Sequence, residues 1–221
     1  MTIVAIDGGA ATGKGTLAKR LAESYGFAYL DTGALYRAVA YAVIQKGFEP
    51  DNEVEALKAA RELPPTEMAK LQYNPVIRDE KYGIGASKCS GFTSVRQALF
   101  DFQRRFAENP RHPDGKTADG VVMDGRDIGT VICPDADLKV FLTARAEIRA
   151  QRRLKELQLR KIYAIYEDVL SDVIARDKRD SERKSAAMKP AEDAFVLDTS
   201  DLTPDEVFAT VAGELDKVCG K

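Results

Sequence analysis

The chain is predicted to fold as α/β: a five-stranded parallel sheet flanked by helices. Three observations predict this. Short apolar runs recur at Thr2–Asp7, Phe27–Leu30, Val121–Asp124, Leu138–Leu142 and Phe195–Asp198. They are nearly continuous in apolar residues rather than alternating, as in parallel strands covered on both faces. Helical patterns separate them, and strand alternating with helix builds a parallel sheet. The chain has 221 residues, of which 44% are hydrophobic, with ordinary Gly and Pro. That composition belongs to a folded globular protein.

The first strand runs straight into Gly8-Gly9-Ala10-Ala11-Thr12-Gly13-Lys14-Gly15-Thr16, and a helix is expected over Lys14–Tyr25. Strand, glycine-rich turn and helix start form the architecture of a phosphate-binding loop. Backbone N–H groups in such a turn wrap a phosphate, and the helix points its positive dipole end at the anion. Lys14 then reaches the terminal phosphates of a nucleotide as a point charge. Thr16 offers a hydroxyl near Mg²⁺.

After the second strand comes Asp31-Thr32-Gly33-Ala34-Leu35-Tyr36-Arg37. Asp31 or Thr32 suits the N-cap of a helix over Ala34–Lys46. Arg37, one turn into that helix, is placed to face the same cleft. Residues 48–92 then interrupt the alternation with a polar piece containing Pro64-Pro65, Asn74-Pro75 and a mixed stretch Val76–Ser90. A helix is expected over Ser94–Glu108.

The third strand ends in Asp124-Gly125-Arg126-Asp127. Charges at a buried strand end are costly unless partnered. A structural ion pair would satisfy them. A ligand site is favoured, because ligands bind beyond the carboxyl ends of such strands. Helices are expected over Ala146–Leu159 and Tyr166–Lys184, with 152–184 forming a second, arginine-rich insertion. On a helix, Arg176, Asp180 and Arg183 share one face. Alone, they read as a solvated ion-pair face. Beside a phosphate-binding loop they suit a clamp on a transferring phosphate. The last helix is expected over Pro204–Lys217, with Thr203 as N-cap, proline in the first turn and acids after it.

The formal net charge of −2 argues against a general nucleic-acid binder. Yet Arg149, Arg152, Arg153, Arg160, Arg176, Arg179 and Arg183 crowd one stretch, which suits a small anionic ligand. Cys89, Cys133 and Cys219 match no metal or redox spacing and read as free thiols. His112 lies in a loop sequence and is given no catalytic role. The start carries no signal-peptide pattern. No apolar stretch approaches the ~18 residues of a membrane span. The expected location is cytoplasmic, with no membrane or nucleic-acid partner.

Taken together, the Lys14-Gly15-Thr16 form, Asp31–Arg37, Asp124-Gly125-Arg126-Asp127-Ile128-Gly129-Thr130-Val131 and Arg176–Arg183 resemble the bacterial cytidylate kinases, a family of P-loop nucleoside monophosphate kinases. Ile132-Cys133-Pro134-Asp135-Ala136 and Phe195-Val196-Leu197-Asp198-Thr199 extend the likeness over almost the whole chain. Ala11 departs from it, standing where the family usually has glycine, and about 48–80 is its weakest stretch.

The resemblance implies ATP-dependent phosphorylation of CMP and dCMP to CDP and dCDP by a monomer. It implies a core of 1–47, 93–151 and 185–221, a nucleoside-monophosphate-binding insertion over 48–92 and a lid over 152–184. ATP phosphates would lie in the loop from Gly8, Gly9 and Ala10 through Ala11, Thr12, Gly13, Lys14 and Gly15 to Thr16. Mg²⁺ would be held largely through phosphates and water, touching Thr16 only indirectly. Arg37 and Arg126 would grip the acceptor phosphate. Thr32, Arg176 and Asp180 would address the sugar, and Ser87, Arg96, Asp127 and Arg183 the cytosine edge. Arg152 would belong to the lid near the transferring group. Lys14, Arg126, Asp127, Arg152 and Arg176 would carry catalysis. A kinase for another acceptor would need a different set at Ser87, Arg96, Asp127 and Arg183. A guanine-reading switch protein would need an Asn-Lys-x-Asp segment, and no Asn-Lys pair occurs in the chain.

Overall fold

The computed structural model of the protein describes residues 1–183 and 186–220. Among these, five strands form one sheet: β1 (Thr2–Gly8), β2 (Ala28–Asp31), β3 (Gly120–Gly125), β4 (Leu138–Thr143) and β5 (Phe195–Asp198), in the order β2-β3-β1-β4-β5. Every neighbouring pair is parallel. The registers Asp7↔Gly125, Gly8↔Leu142, Asp31↔Asp124 and Thr143↔Asp198 bring all five carboxyl ends to one edge.

The strands are sandwiched as their sequence requires. On one face Val4, Ile6, Val122, Val140 and Leu142 pack against α1 (Lys14–Tyr25) and α9 (Pro204–Cys219). On the other face Ala5, Leu30, Val121 and Met123 pack against Phe106 and Ala107 of α6 (Thr93–Glu108) and against Ile128 and Ile132. Each fully buried Leu or Ile contributes about 1.5–3 kcal/mol. α9 starts with a capping box: Glu206 N–H donates to Thr203 Oγ1 at 3.3 Å, and Thr203 N–H donates to Glu206 Oε2 at 2.8 Å.

Two smaller cores lie outside the sheet. One joins α2 (Thr32–Gln45) to α6 and to α3 (Glu53–Glu62) and α5 (Glu80–Cys89), through Leu35, Val39, Val43, Ala56, Ala60, Ala86 and Leu99. The other joins α7 (Ala146–Leu159) to α8 (Tyr166–Ser181) through Ala150, Leu157 and Val169. The three cysteines are free, with Cys89 and Cys133 buried. Among the described residues no helix is long and apolar enough to cross a membrane.

Three differences from the sequence reading have physical reasons. Residues 48–92 are largely helical: α3, α4 (Pro65–Leu71), a 3₁₀ turn Pro75–Arg78, and α5. The apolar face of α3 is made of Ala56, Ala59 and Ala60, which gives little contrast. α5 carries Gly83 and Gly85 because α2 crosses too close for a side chain. A Cβ at Gly85 would lie 2.7 Å from Ala40 Cβ, and one at Gly83 would lie 2.9 Å from the Arg37 guanidinium.

α2 begins two residues earlier than expected, and its N-cap is Asp31, whose side chain accepts from Ala34 N–H at 3.1 Å. α8 ends at Ser181, so Arg183 is off the helix and does not extend the face of Arg176 and Asp180. The carbonyl of Asp180 accepts from Met188 N–H at 2.9 Å instead of continuing the helical ladder. The expected helix end at Lys184 falls outside the described residues.

Candidate functional site

The shape of the phosphate-binding loop is set by its backbone angles and by contacts from its neighbours. Gly8, at φ 147°, has no room for a side chain: a Cβ would lie 2.2 Å from the Leu142 carbonyl oxygen. Gly13 takes φ 93° as the N-cap of α1, with no side chain capping the first amides. Ala11 is held at φ 58°, where a non-glycine residue costs about 1–2 kcal/mol. Three contacts stabilise this shape. Thr12 Oγ1 donates to Gly9 O at 3.0 Å, Thr199 Oγ1 donates to Thr12 O at 3.1 Å, and Arg149 donates to Ala10 O at 3.3 Å. Lys14 Nζ lies across the loop, donating to Gly9 O at 3.2 Å.

The loop forms one wall of a cavity of about 1040 Å³. Ala10 through Thr16, Arg37, Arg126, Arg152 and Arg176 line it. So do Asp31 and Asp124, the last residue of β2 and its partner in register on β3. A Cβ at Gly15 would sit 3.1 Å from Asp124 Oδ2. A side chain at this position would crowd the Asp124 carboxylate.

The electrostatics of this wall are those of a site short of anions. Burial, with Arg126 nearby, lowers the pKa of Lys14. Burial, with Asp31 nearby, raises that of Asp124, whose Oδ2 accepts from Tyr29 Oη at 3.2 Å. Arg176 is pushed down to about 9 by burial and then by Arg126. Its Nε is buried without a hydrogen bond, 4.0 Å from Asp180. Cations that weaken one another beside a phosphate-binding loop are arranged for a polyanion.

The remaining site residues form a second cluster, which does not line the cavity. Arg96 contacts the Asp127 carboxylate, and both side chains are over 90% buried. Arg96 also lies over the Tyr36 ring at 5.7 Å. Arg183 donates to Ser90 Oγ at 2.7 Å and to Asp180 Oδ1 at 2.5 Å. Arg179 donates to Ser87 Oγ at 3.4 Å. Asp180 joins the two groups, since its other oxygen accepts from Arg126 Nε at 2.9 Å. Burial alone would raise Asp180, but Arg126, Arg183 and Arg176 outweigh it and hold its pKa low. Thr32 is also off the cavity wall, donating to Asp124 O at 2.8 Å. Gly8 and Gly9 support the loop from behind. Arg152 lines the cavity while donating to Thr199 Oγ1 at 2.9 Å and Thr199 O at 2.5 Å.

The cavity is also lined by residues to which the sequence reading assigned no individual role, among them Tyr29, Asp31, Arg78 and Asp124, the last within a segment read as a ligand site. Arg78 pairs with Asp31 at 2.8 Å. For Asp31 and Asp124 the available signal was a carboxylate closing each of two strands, since both strand ends belong to the edge where ligands bind.

Comparison with known proteins adds an independent line. The family model described as cytidylate kinase matches residues 4–217. A cytidylate kinase of Paramagnetospirillum magneticum is 52% identical over 212 residues, covering 96% of both chains. One of Rhodospirillum rubrum is 50% identical over 206 residues, covering 93% of both. Among solved structures, an uncharacterized protein from Eubacterium ventriosum superposes with a TM-score of 0.53 at 14% identity, covering 98% of both chains. That last likeness speaks to the fold alone.

Proposed function

The chain belongs to the cytidylate kinase family, an ATP-using phosphotransferase family, and from that premise we propose that it phosphorylates CMP and dCMP to CDP and dCDP in the cytoplasm, as a monomer. The observation that carries the reading is the joining of two unlike arginine clusters through Asp180. One suits phosphates and the other suits a base.

An oxygen of the acceptor phosphate attacks the γ-phosphorus of ATP. The new P–O bond forms as the bond to the β–γ bridging oxygen breaks, and ADP leaves. The acceptor oxygen is already ionised, so no strong general base is needed. The barrier is lowered by positioning and by charge neutralisation. In this reading Gly8–Thr16 cradles the ATP phosphates and Lys14 neutralises the transferring group. Arg37 and Arg126 grip the acceptor phosphate, and Arg152 and Arg176 neutralise charge between donor and acceptor. Thr32, Arg176 and Asp180 hold the sugar. Ser87, Arg96, Asp127 and Arg183 read cytosine, whose exocyclic amino group donates to the Asp127 carboxylate. The Arg96–Asp127 contact must loosen to admit the base. Residues 48–92 and 152–184 close over acceptor and donor and exclude the water that would hydrolyse ATP, against a core of 1–47, 93–151 and 185–221.

Mg²⁺ with ATP fits the donor set. Thr16 offers a hydroxyl, Asp31 and Asp124 offer carboxylates, and all three line the cavity. Among the described residues no cluster of His, Cys, Asp or Glu forms a metal cage. Bound there, Mg²⁺ supplies neutralisation of the β- and γ-phosphate charge. The test is ADP release with ATP and a panel of CMP, dCMP, UMP, AMP and GMP. CMP and dCMP should turn over fastest. Equal turnover of UMP, or a purine preference, would contradict the reading.

A further inference from the structure

Asp7 has no role in the scheme above, yet it ties the phosphate-binding loop to the base-reading cluster. It is the penultimate residue of β1 and is 4% exposed. Its Oδ1 accepts from Ile128 N–H at 2.9 Å, and its Oδ2 accepts from Gly129 N–H at 2.8 Å. These amides open a π-helical turn, Ile128–Ile132. The turn closes on the carbonyl of Asp127, which accepts from Val131 N–H at 2.9 Å and Ile132 N–H at 3.2 Å. Ile128 and Gly129 are buried. Without Asp7 both amides would be orphaned, and a buried unpaired amide is expensive.

Asp127 is thus fixed from two sides. Arg96 meets its carboxylate, and Asp7 holds the turn that follows its backbone. We propose that Asp7 is a positioning residue for acceptor recognition: its carboxylate holds the turn that aims Asp127. This rests on Asp127 reading the base.

An ionised carboxylate offers a strong acceptor to each amide and presents no hydrogen to either. An asparagine would turn its own NH₂ toward one of them. Burial pushes the Asp7 carboxyl up to about 6 even with both bonds made. Asp127 adds to that rise and Arg126 opposes it. The group still ionises near neutrality.

The test compares Asp7→Asn, Asp7→Ser, Asp127→Ala and the Asp7→Asn/Asp127→Ala double variant. Val4→Ala, another buried β1 residue, serves as the control for simple destabilisation. Melting temperature, kcat and the KM values for CMP and ATP are measured. Asp7→Asn should raise KM for CMP about tenfold or more and KM for ATP less than about threefold, with Asp7→Ser in the same direction. Val4→Ala should lower the melting temperature and leave both KM values unchanged. In the Asp127→Ala background, Asp7→Asn should add less than about twofold, because residues acting as a unit are not additive. An equal rise in both KM values, or an unmoved KM for CMP in a folded Asp7→Asn or Asp7→Ser, would overturn the proposal. So would an Asp7→Asn effect that persists undiminished without Asp127. Failure of the base-reading premise shows separately, as an Asp127→Ala variant with unchanged preference for CMP over UMP.

Discussion

The cavity wall and the inner cluster solve the same problem in opposite ways. On the wall, burial and the nearby Arg126 lower the proton affinity of both Lys14 and Arg176, with Arg176 Nε left unbonded. In the inner cluster the charges are matched: Arg96 with Asp127, and Arg183 with Asp180. Crowded cations stabilise any polyanion that arrives and do not discriminate between bases. Matched charges resist entry, so only a ligand that replaces their partners gains admission. On the proposed reading, affinity for phosphate and selection of the base are separated in space, with Asp180 as the link.

The comparison can be broken first at Asp127. Asp127→Ala leaves Arg96 buried and unpaired, which should cost about 3–5 kcal/mol of stability by urea denaturation. Replacing both partners, as in Arg96→Met/Asp127→Ala, should cost less, because no buried charge is orphaned. A single variant as stable as the wild type would show that the pair does not hold the inner cluster together.

The wall is tested at Lys14. Lys14→Ala should lower kcat about 10²–10³-fold, as loss of one preorganised electrostatic donor does. Its stability should be no lower than that of the wild type, because burial and Arg126 lower the proton affinity of Lys14 in the folded state and the charge therefore disfavours folding. A folded variant with near-normal turnover would remove Lys14 from the reaction.

The link is tested at Asp180. Asp180→Ala should change the kinetics of both CMP and dCMP by about tenfold, because it frees Arg126 and Arg183 together. A change below about twofold in a folded protein would leave the two clusters uncoupled.

The smallest effect is a slope. Burial raises the Asp7 carboxyl to about 6, against 3.8 ordinarily. The folded state therefore holds more protons than the unfolded state between those values. Stability contributed by this group is present at the acid end and falls as pH rises through the window. Wild-type stability should decline relative to Asp7→Asn from about pH 4 to pH 6. Parallel curves for the two proteins would mean that Asp7 titrates normally.

Much of the sheet and the phosphate-binding loop was legible in the sequence because their signals are local. Continuous apolar runs mark strands buried on both faces, and a glycine-rich turn between strand and helix marks the loop. Within 48–92, α3 was opaque because alanine stands where larger apolar residues would have shown a helix. The glycines of α5 answer to contacts with Arg37 and Ala40, far away in the chain. That Asp31 and Asp124 stand side by side depends on strand register, which the local pattern of a carboxylate at each strand end does not encode. The contact of Arg96 with Asp127 spans 31 residues. The helical face expected for Arg183 failed because Met188 takes the carbonyl that would have continued α8.

The most direct test of the separation between phosphate binding and base selection is kcat/KM for CMP and UMP in the wild type and in Asp127→Ala. Cytosine donates an amino hydrogen where uracil presents an oxygen. The carboxylate therefore favours the first and is left unpaired by the second. CMP should lose about tenfold or more beyond any loss for UMP, narrowing the preference between them. Equal losses for the two substrates would contradict the account, placing Asp127 with the phosphate-positioning residues and moving base selection to Ser87 and Arg96.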